Sequence, residues 1–412
     1  MSFFSLFESR PLDEKQAKLS LWGVSWMSFF WSTSSLMVFS LLPFFITEVL
    51  GASRTKFGII EGVAISLGFF SKVFSGVISD IFRSRKPLIA IGSLMSVLVK
   101  LIFAAAGSIG WVFAARSIDR LSKGIRSSPT DALIADISQN LHRGQSYGLR
   151  QALYTSGAVA GSIIAMKLLN LTDHNYRLIF TLSAIPAFIA LLVLLTLVKQ
   201  PPIREEIKKG HRGWRLSDIR YLPAPFWSLL GVAFILMLAR FSEAFISMRA
   251  RDVGCPIGSL PLLLVGMELV HAGIAYPIGR MANKSNLNAL LLKGMSVLIL
   301  ANVVFITTHS VVGVAIGAMF AGLHMGMTQG VLATLVAEST PAELRGTAFA
   351  IYYFSAGIAV LIGNTLAGHL SDLVGSTGCF MGGLIFTSLA SALLFFRIRQ
   401  KENKKPVAVS GT

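Results

Sequence analysis

Charge is scarce in this sequence, and negative charge most of all. Asp and Glu number 20, and the four charged residue types together make up 14% of 412 residues, against about a quarter in an ordinary soluble domain. A chain of this length cannot clothe two or three water-facing domains with so few polar side chains, which excludes a soluble enzyme and a disordered protein. Cysteine is almost missing too. Cys255 and Cys379 are the two present, which excludes a disulfide scaffold and a cysteine-rich metal site; two unpaired, small apolar side chains are expected, although both fall near short loops on one side. The seven histidines are scattered. No Gly-x-x-x-x-Gly-Lys-Ser/Thr phosphate loop occurs, so ATP is not expected to drive this protein directly, and HExxH and paired-cysteine metal spacings are absent as well. No cofactor, no metal and no enzymatic centre are therefore expected. The first residues include Glu8, Arg10, Asp13, Glu14 and Lys15, unlike the basic opening of a cleavable signal peptide.

Apolar residues supply what charge does not: they form 53% of the chain, and the mean hydropathy is +0.67. A membrane span takes about 20 apolar residues plus a connection, so this length holds about twelve. Reading the runs between breaks gives 19–46, 57–78, 87–107, 110–128, 147–169 and 178–198, then 222–248, 260–281, 290–307, 311–336, 347–369 and 379–396. The longest polar break separates the sixth run from the seventh. The expected organisation is an N-terminal six-helix bundle over 1–198, a basic linker over 199–221, and a C-terminal bundle with a short tail over 222–412.

The formal charge is +17. In a soluble protein it would suggest nucleic acid, but basic residues accumulate in cytoplasmic loops of membrane proteins whatever their function. Here they concentrate at both termini, in alternate loops, and in the linker as Lys199, Arg204, Lys208, Lys209, Arg212, Arg215 and Arg220. This asymmetry predicts a multi-pass inner or plasma membrane protein with both termini cytoplasmic. The linker faces lipid headgroups rather than nucleic acid on this reading, and a monomer is expected.

The halves repeat one another. Leu133–Gly144 aligns without a gap to Leu335–Gly346, an offset of 202 residues, placing Asp136 on Glu338 and Arg143 on Arg345. Gly124 meets Gly326 and Gly161 meets Gly363 at the same offset. Two parallel six-helix repeats put a binding site at their interface, near the midplane.

These residues resemble the major facilitator superfamily. The stretch GVISDIFRSRKP is similar to that family's cytoplasmic signature through Gly76, Asp80, Arg85 and Lys86. Its C-terminal counterpart keeps Gly279 and Arg280 but has Asn283 at the acidic position. The resemblance implies that Asp80 braces a cytoplasmic gate. RLSKG resembles the family's Arg-x-x-Gln-Gly through Arg120 and Gly124, with Lys123 in place of Gln. The family's antiporter signature is incomplete, with Gly157 and Gly161 present and Ser162 in place of its Pro. The implied fold is all-α and integral to the membrane, twelve helices in two pseudo-symmetric bundles that rock about a central cavity.

Charges inside the apolar runs are the site candidates, because an ionised group at bilayer depth costs at least about 2.5 kcal/mol without a partner or a wet cavity. Steps of three and four put Arg116, Asp119, Arg120, Lys123 and Ser127 on one face of the fourth span. Arg120, Lys123, Arg116, Lys100 and Gln329 are the candidate substrate ligands, with Lys100 alternatively a partner for Asp119. Arg240 with Glu243, and Glu268 with His271, are each three residues apart and so expected to be helix neighbours; with Asp119 they form the candidate proton-coupling set. The gate candidates are Asp80, Arg85, Arg143, Arg345, Asp136 and Glu338. Cations outnumber acids in this count, so the expected function is proton-coupled symport of a small organic anion: a carboxylate, a phosphate ester or a siderophore-like chelate. The alternatives are a proton-coupled drug or metabolite exporter, or a non-transporting receptor on the same fold.

Overall fold

The computed structural model describes residues 12–81, 84–138, 143–201, 216–282, 286–341 and 344–403. Residues 202–215 of the linker lie outside that set, so most of its predicted basic stretch has no structural account. The described residues are helical nearly throughout. The first half holds α1 (Glu14–Phe39), α2 (Arg54–Ile81), α3 (Lys86–Ala105), α4 (Ile109–Ile137), α5 (Arg143–Leu171), α6 (Tyr176–Leu182) and α7 (Ala184–Leu197). The second holds α8 (Ala224–Leu238), α9 (Ala244–Asp252), α10 (Leu260–Ala282), α11 (Leu287–Thr307), α12 (Val311–Glu338), α13 (Arg345–Val374) and α14 (Gly378–Asn403). Small polar side chains start several of them: Asp13, Asn175, Asn286 and Ser310 each accept a bond from a backbone N–H of the first turn, satisfying donors that a helix start leaves unpaired.

The offset of 202 read from the sequence is also the structural repeat. Shifted by that amount, α3 becomes 288–307, α4 becomes 311–339 and α5 becomes 345–373, against Leu287–Thr307, Val311–Glu338 and Arg345–Val374 for α11, α12 and α13. Packing follows the same rule. The pairs α1–α5, α2–α4, α3–α4, α1–α7 and α3–α7 have their images in α8–α13, α10–α12, α11–α12, α8–α14 and α11–α14. Between the bundles, α2 lies along α13 and α10 against α5, again images of one another. The first seam is the more extensive, and Gly58 and Gly62 permit it: a Cβ at Gly62 would sit 2.9 Å from the carbonyl oxygen of Leu361.

Nine helical stretches among the described residues are long and apolar enough to cross a membrane. The three other predicted spans fall short for informative reasons. The one built on α4 carries Arg116, Asp119, Arg120, Lys123 and Arg126 in mid-helix, and the one built on α2 runs into side chains outside the described set after Ser71. The seventh is broken: α8 stops at Leu238, and Ala239–Glu243 is non-helical before α9 begins. Arg240 and Glu243 therefore do not sit on one helix as the spacing predicted. The first span breaks at the equivalent place, where α1 ends at Phe39 and a short helix of Leu42–Phe44 and a wide turn of Phe45–Val49 follow.

Large apolar side chains such as Leu98, Leu101, Phe188, Leu192, Ile385 and Leu389 remain exposed on the outside, as lipid contact requires. Polar groups are directed inward. Arg249, buried, donates to the carbonyls of Phe305 at 3.0 Å and Thr308 at 2.5 Å, a cation closing the C-terminus of α11. Cys255 and Cys379 are buried and unpaired.

Candidate substrate cavity

A cavity of about 570 Å³ lies between the bundles, a size suited to a small organic molecule. At its head sits a carboxylate that the sequence reading passed over. Glu61 of α2 takes Arg116 of α4 in a two-point grip, Nε to Oε1 at 2.5 Å and Nη2 to Oε2 at 2.8 Å. Arg120 approaches the same carboxylate, its Nη2 3.7 Å from Oε2. One helix turn higher, Asp119 Oδ1 receives Lys100 Nζ of α3 at 3.0 Å, and its Oδ2 lies 3.7 Å from Arg116 Nη1. All but Arg120 are nearly inaccessible, with Lys100 at 0% exposure. Buried charges survive in a low-dielectric interior only when paired in this way.

Phe39 completes the arrangement. Its ring lies 4.0 Å from the guanidinium carbon of Arg116, 4.9 Å from Lys100 Nζ and 5.5 Å from the guanidinium carbon of Arg120. The negative face of an aromatic ring attracts cations. Phe39 is also the last residue of α1, where a helix presents its partial negative charge. The break in the first span thus places a ring and a helix C-terminus beside three cations.

The predicted substrate ligands divide on this geometry. Arg120, Lys123, Arg116 and Gln329 line the cavity. Lys100 does not; it is Asp119's partner, the alternative the sequence left open. Arg116 reaches the cavity with its guanidinium bound to Glu61. Lys123 and Arg240 make no side-chain hydrogen bond or ion pair among the described residues, and both face the cavity. The anion-site count changes accordingly: with Glu61 included, the cations Lys100, Arg116, Arg120, Lys123 and Arg240 face the acids Glu61, Asp119, Glu243 and Glu268.

The predicted proton-coupling residues also separate. Asp119 is consumed by the buried network and does not line the cavity. Glu268 and His271 do meet on α10, Oε2 to Nδ1 at 3.1 Å, as their spacing predicted. Glu243 lines the cavity without a hydrogen-bonded partner for its carboxylate among the described residues, within electrostatic reach of Glu268, Arg120, Lys123 and His271.

Of the gate candidates, Arg85 and Asp136 pair, Nε to Oδ2 at 3.6 Å. At the offset of 202 this pair maps onto Leu287 and Glu338, so the second half has no image of it. Glu338 is exposed, and Arg345 Nε, the image of Arg143, donates to the carbonyl of Ala337 at 3.2 Å. Asp80 and Arg143 belong to α2 and α5, but their side chains lie outside those the structure describes. Among the described residues, charged ties between the bundles lie at the end remote from the termini, where sequence reasoning did not look. Arg54 holds both oxygens of Asp252 at 2.9 Å, Arg251 Nε bonds Glu48 at 3.2 Å, and Asp372 accepts from the backbone N–H groups of Arg54 and Thr55 at 2.9 and 2.8 Å. The last is a helix N-terminus capped by the other bundle. Arg54, Asp252 and Asp372 each stand at a run boundary, which was the only signal available.

A helical pair of bundles, repeated about a central cavity and holding ionised side chains inward, defines the secondary-transporter class. The family model of the Major Facilitator Superfamily matches residues 24–254 and again 229–411; the chain belongs to that superfamily. An uncharacterized transporter of the same type from Methanocaldococcus jannaschii is 25% identical over 395 residues, 93% of this chain and 96% of its own. An inner membrane transport protein of Escherichia coli is 23% identical, covering 89% of this chain and 81% of its own. Among solved structures, a nucleoside transporter superposes with a TM-score of 0.75 at 15% identity, over 93% of this chain and 99% of its own. A bacterial homologue of a human lysosomal transporter, in an inward-facing state, gives 0.72 at 14%, over 96% and 100%. The structural likenesses carry the fold. The chain is a multi-pass membrane transporter.

Proposed function

We propose that this secondary transporter moves a small organic anion, coupled to protons, by alternating access. The observation that carries this reading is the pair of cations, Lys123 and Arg240, that face the cavity with no side-chain hydrogen bond or ion pair among the described residues, while Glu61 is already held by Arg116. An anion entering between the bundles meets Lys123 and Arg240 directly and finds Arg120 only loosely held at 3.7 Å from Glu61. Carboxylates, phosphate esters and anionic chelates share that chemistry. Basic loops place both termini in the cytoplasm of an inner or plasma membrane. On that orientation the contacts of Arg54, Asp252 and Asp372 close the outer side, and the cavity, which runs on past Thr155, Gln329 and Ala333 toward the cytoplasmic ends of α5 and α12, belongs to the inward-facing state. Glu243 and Glu268 are two carboxylates facing one cavity, with no lysine or arginine bound to either among the described residues. We assign the proton to them.

One observation favours an exporter of cationic or apolar solutes instead: the same Glu243, whose carboxylate has no hydrogen-bonded partner among the described residues, can receive a cation. The deciding experiment is a thermal-shift screen of the purified protein with matched carboxylates and amines. Stabilisation by carboxylates that disappears in Lys123→Gln and Arg120→Gln supports the anion site. Stabilisation by amines that disappears in Glu243→Gln replaces it with the exporter.

A further inference from the structure

The internal repeat makes the two walls of the cavity directly comparable, and they are built differently. At the offset of 202, Phe39 falls on Phe241, Lys100 on Asn302, Phe103 on Phe305, and Asp119 on Ala321. Phe39 and Phe241 occupy the same helix break. Phe39 is surrounded by cations. Phe241, half-buried and lining the cavity, instead meets Phe245 and Phe380 edge to face, with centroids 5.6 Å apart in both cases. Phe380 in turn stacks on Phe305 at 4.4 Å. One wall is ionic and its image is aromatic.

The second asymmetry concerns hydrogen bonding. Lys100 has Asp119 for a partner; its image Asn302 has Ala321 at that place, and its amide Nδ2 is buried without a hydrogen-bond partner among the described residues. His324 of α12 donates from Nδ1 to the carbonyl of Gly294 at 2.8 Å. A carbonyl only accepts, so the proton is on Nδ1 and the neutral ring leaves Nε2 as an acceptor, which also lacks a partner. Asn302 and His324 are each 2% exposed, and both line the cavity. A buried polar group left unpaired costs stability, so an unmet donor and an unmet acceptor lining one cavity point to a ligand that meets them.

We propose that the solute is an aromatic or heteroaromatic carboxylate whose ring carries a hydrogen-bonding group. The carboxylate goes to Arg120, Lys123 and Arg240, the ring lies against Phe241 and its neighbours, and the polar edge of the ring pairs with Asn302 and His324. This rests on the anion reading above and narrows it. The rings of Phe241, Phe305 and Phe380 favour a planar partner over a saturated one of equal size, since aromatic contacts add to simple burial. The amide and imidazole favour a ring with a hydroxyl or ring nitrogen over one without.

The test is binding to the purified full-length protein of benzoate, 4-hydroxybenzoate, nicotinate, cyclohexanecarboxylate, acetate and benzylamine. Benzoate should bind roughly three- to tenfold tighter than cyclohexanecarboxylate, and 4-hydroxybenzoate or nicotinate tighter again. Phe241→Leu should remove the first preference, and Asn302→Leu the second, while benzoate still binds the latter variant. Equal binding of all carboxylates overturns the inference and leaves the anion site standing. Binding of benzylamine alone overturns both. Failure of every aromatic carboxylate to bind at millimolar concentration, with acetate or cyclohexanecarboxylate binding, overturns the inference; failure of all six overturns it as well.

Discussion

Ser242 of one bundle donates to Glu61 of the other, Oγ to Oε2 at 3.3 Å, so the carboxylate that organises the ionic wall also touches the break in the opposite repeat. Ser242 is itself fixed, its backbone N–H donating to Asn364 Oδ1 at 2.8 Å. Nearby, Ser66 of α2 donates to the carbonyl of Gly357 on α13 at 2.6 Å. Glu61 thus answers to two arginines on its own side and one hydroxyl across the seam. An anion that draws Arg120 away changes the balance on the atom that contacts the other bundle. Site and seam are linked through one side chain.

Removing that charge alone takes away the two-point grip on the buried Arg116 and leaves it only Asp119, 3.7 Å from its Nη1 and already held by Lys100. Breaking a buried ion pair by deleting one member costs about 3–5 kcal/mol, whereas replacing both members with apolar groups is close to neutral. Glu61→Gln should therefore lower the apparent Tm sharply, and Glu61→Met with Arg116→Met should recover most of the loss. Thermal unfolding of the purified variants checks this. A double variant as unstable as the worse single one would show that the pair is not where the stability resides.

The pair of Lys100 and Asp119 gives a contrasting expectation. Neither residue lines the cavity, and Lys100 is fully enclosed. Lys100→Met together with Asp119→Leu should fold and should bind the solute as the unaltered protein does, whereas Lys100→Met alone should fold poorly because Asp119 loses its closest cation. Comparing yield and ligand affinity for single and double variants separates the two effects. Loss of affinity in a well-folded double variant would return Lys100 to the substrate site.

The sequence made the repeat and the twelve-span order legible because periodic apolar runs and a gapless 202-residue offset are local signals. The charged face of α4 was legible for the same reason. Glu61 was not, since a single acid in an apolar run has no pattern, and its meaning comes from Arg116, 55 positions away. For Arg240 and Glu243 only the shared helix was misjudged. Spacing of three makes neighbours on an unbroken helix, nothing in FSE marks the break between α8 and α9, and the two residues stay within electrostatic reach of each other across it. The seam at the end remote from the termini was hidden because Arg54, Asp252 and Asp372 look like ordinary boundary residues until the bundles are placed side by side.

That seam should control which side of the cavity is open. Asp372 caps the first turn of α2 through two backbone N–H groups and also accepts from Thr55 Oγ1 at 2.5 Å, and a carboxylate at a helix N-terminus is favourable both as a cap and through the helix dipole. Asp372→Asn with Asp252→Ala weakens the closure without altering the cavity. Spin labels on cysteines placed at Val49 and Val374, both more than half exposed, should then report a longer distance between the bundles by double electron–electron resonance. The native cysteines interfere little: Cys255 and Cys379 are buried and donate to the carbonyls of Pro256 and Ser376, and burial pushes the Cys255 thiol up, away from the reactive thiolate. An unchanged distance would mean that these contacts follow closure rather than hold it.

Proton coupling can be assigned by a variant that cannot release a proton. Glu243 faces the cavity, has Glu268 within electrostatic reach, and stands in the non-helical break between α8 and α9. Discontinuous helices of this kind form ion and substrate sites in transporters of several folds. Symport driven by an acidic exterior needs a group that takes a proton outside and gives it up inside. Glu243→Gln keeps the shape of the protonated acid but is fixed in that state, so accumulation of solute driven by an acid-outside gradient should be abolished. Exchange of labelled for unlabelled solute at equal pH should persist, because the protein can still cross with its site loaded. Proteoliposomes measured in both modes distinguish the steps. If Glu243→Gln still accumulates solute and Glu268→Gln does not, the proton belongs to Glu268 and His271 on α10; if both accumulate it, the coupling lies outside this pair of carboxylates.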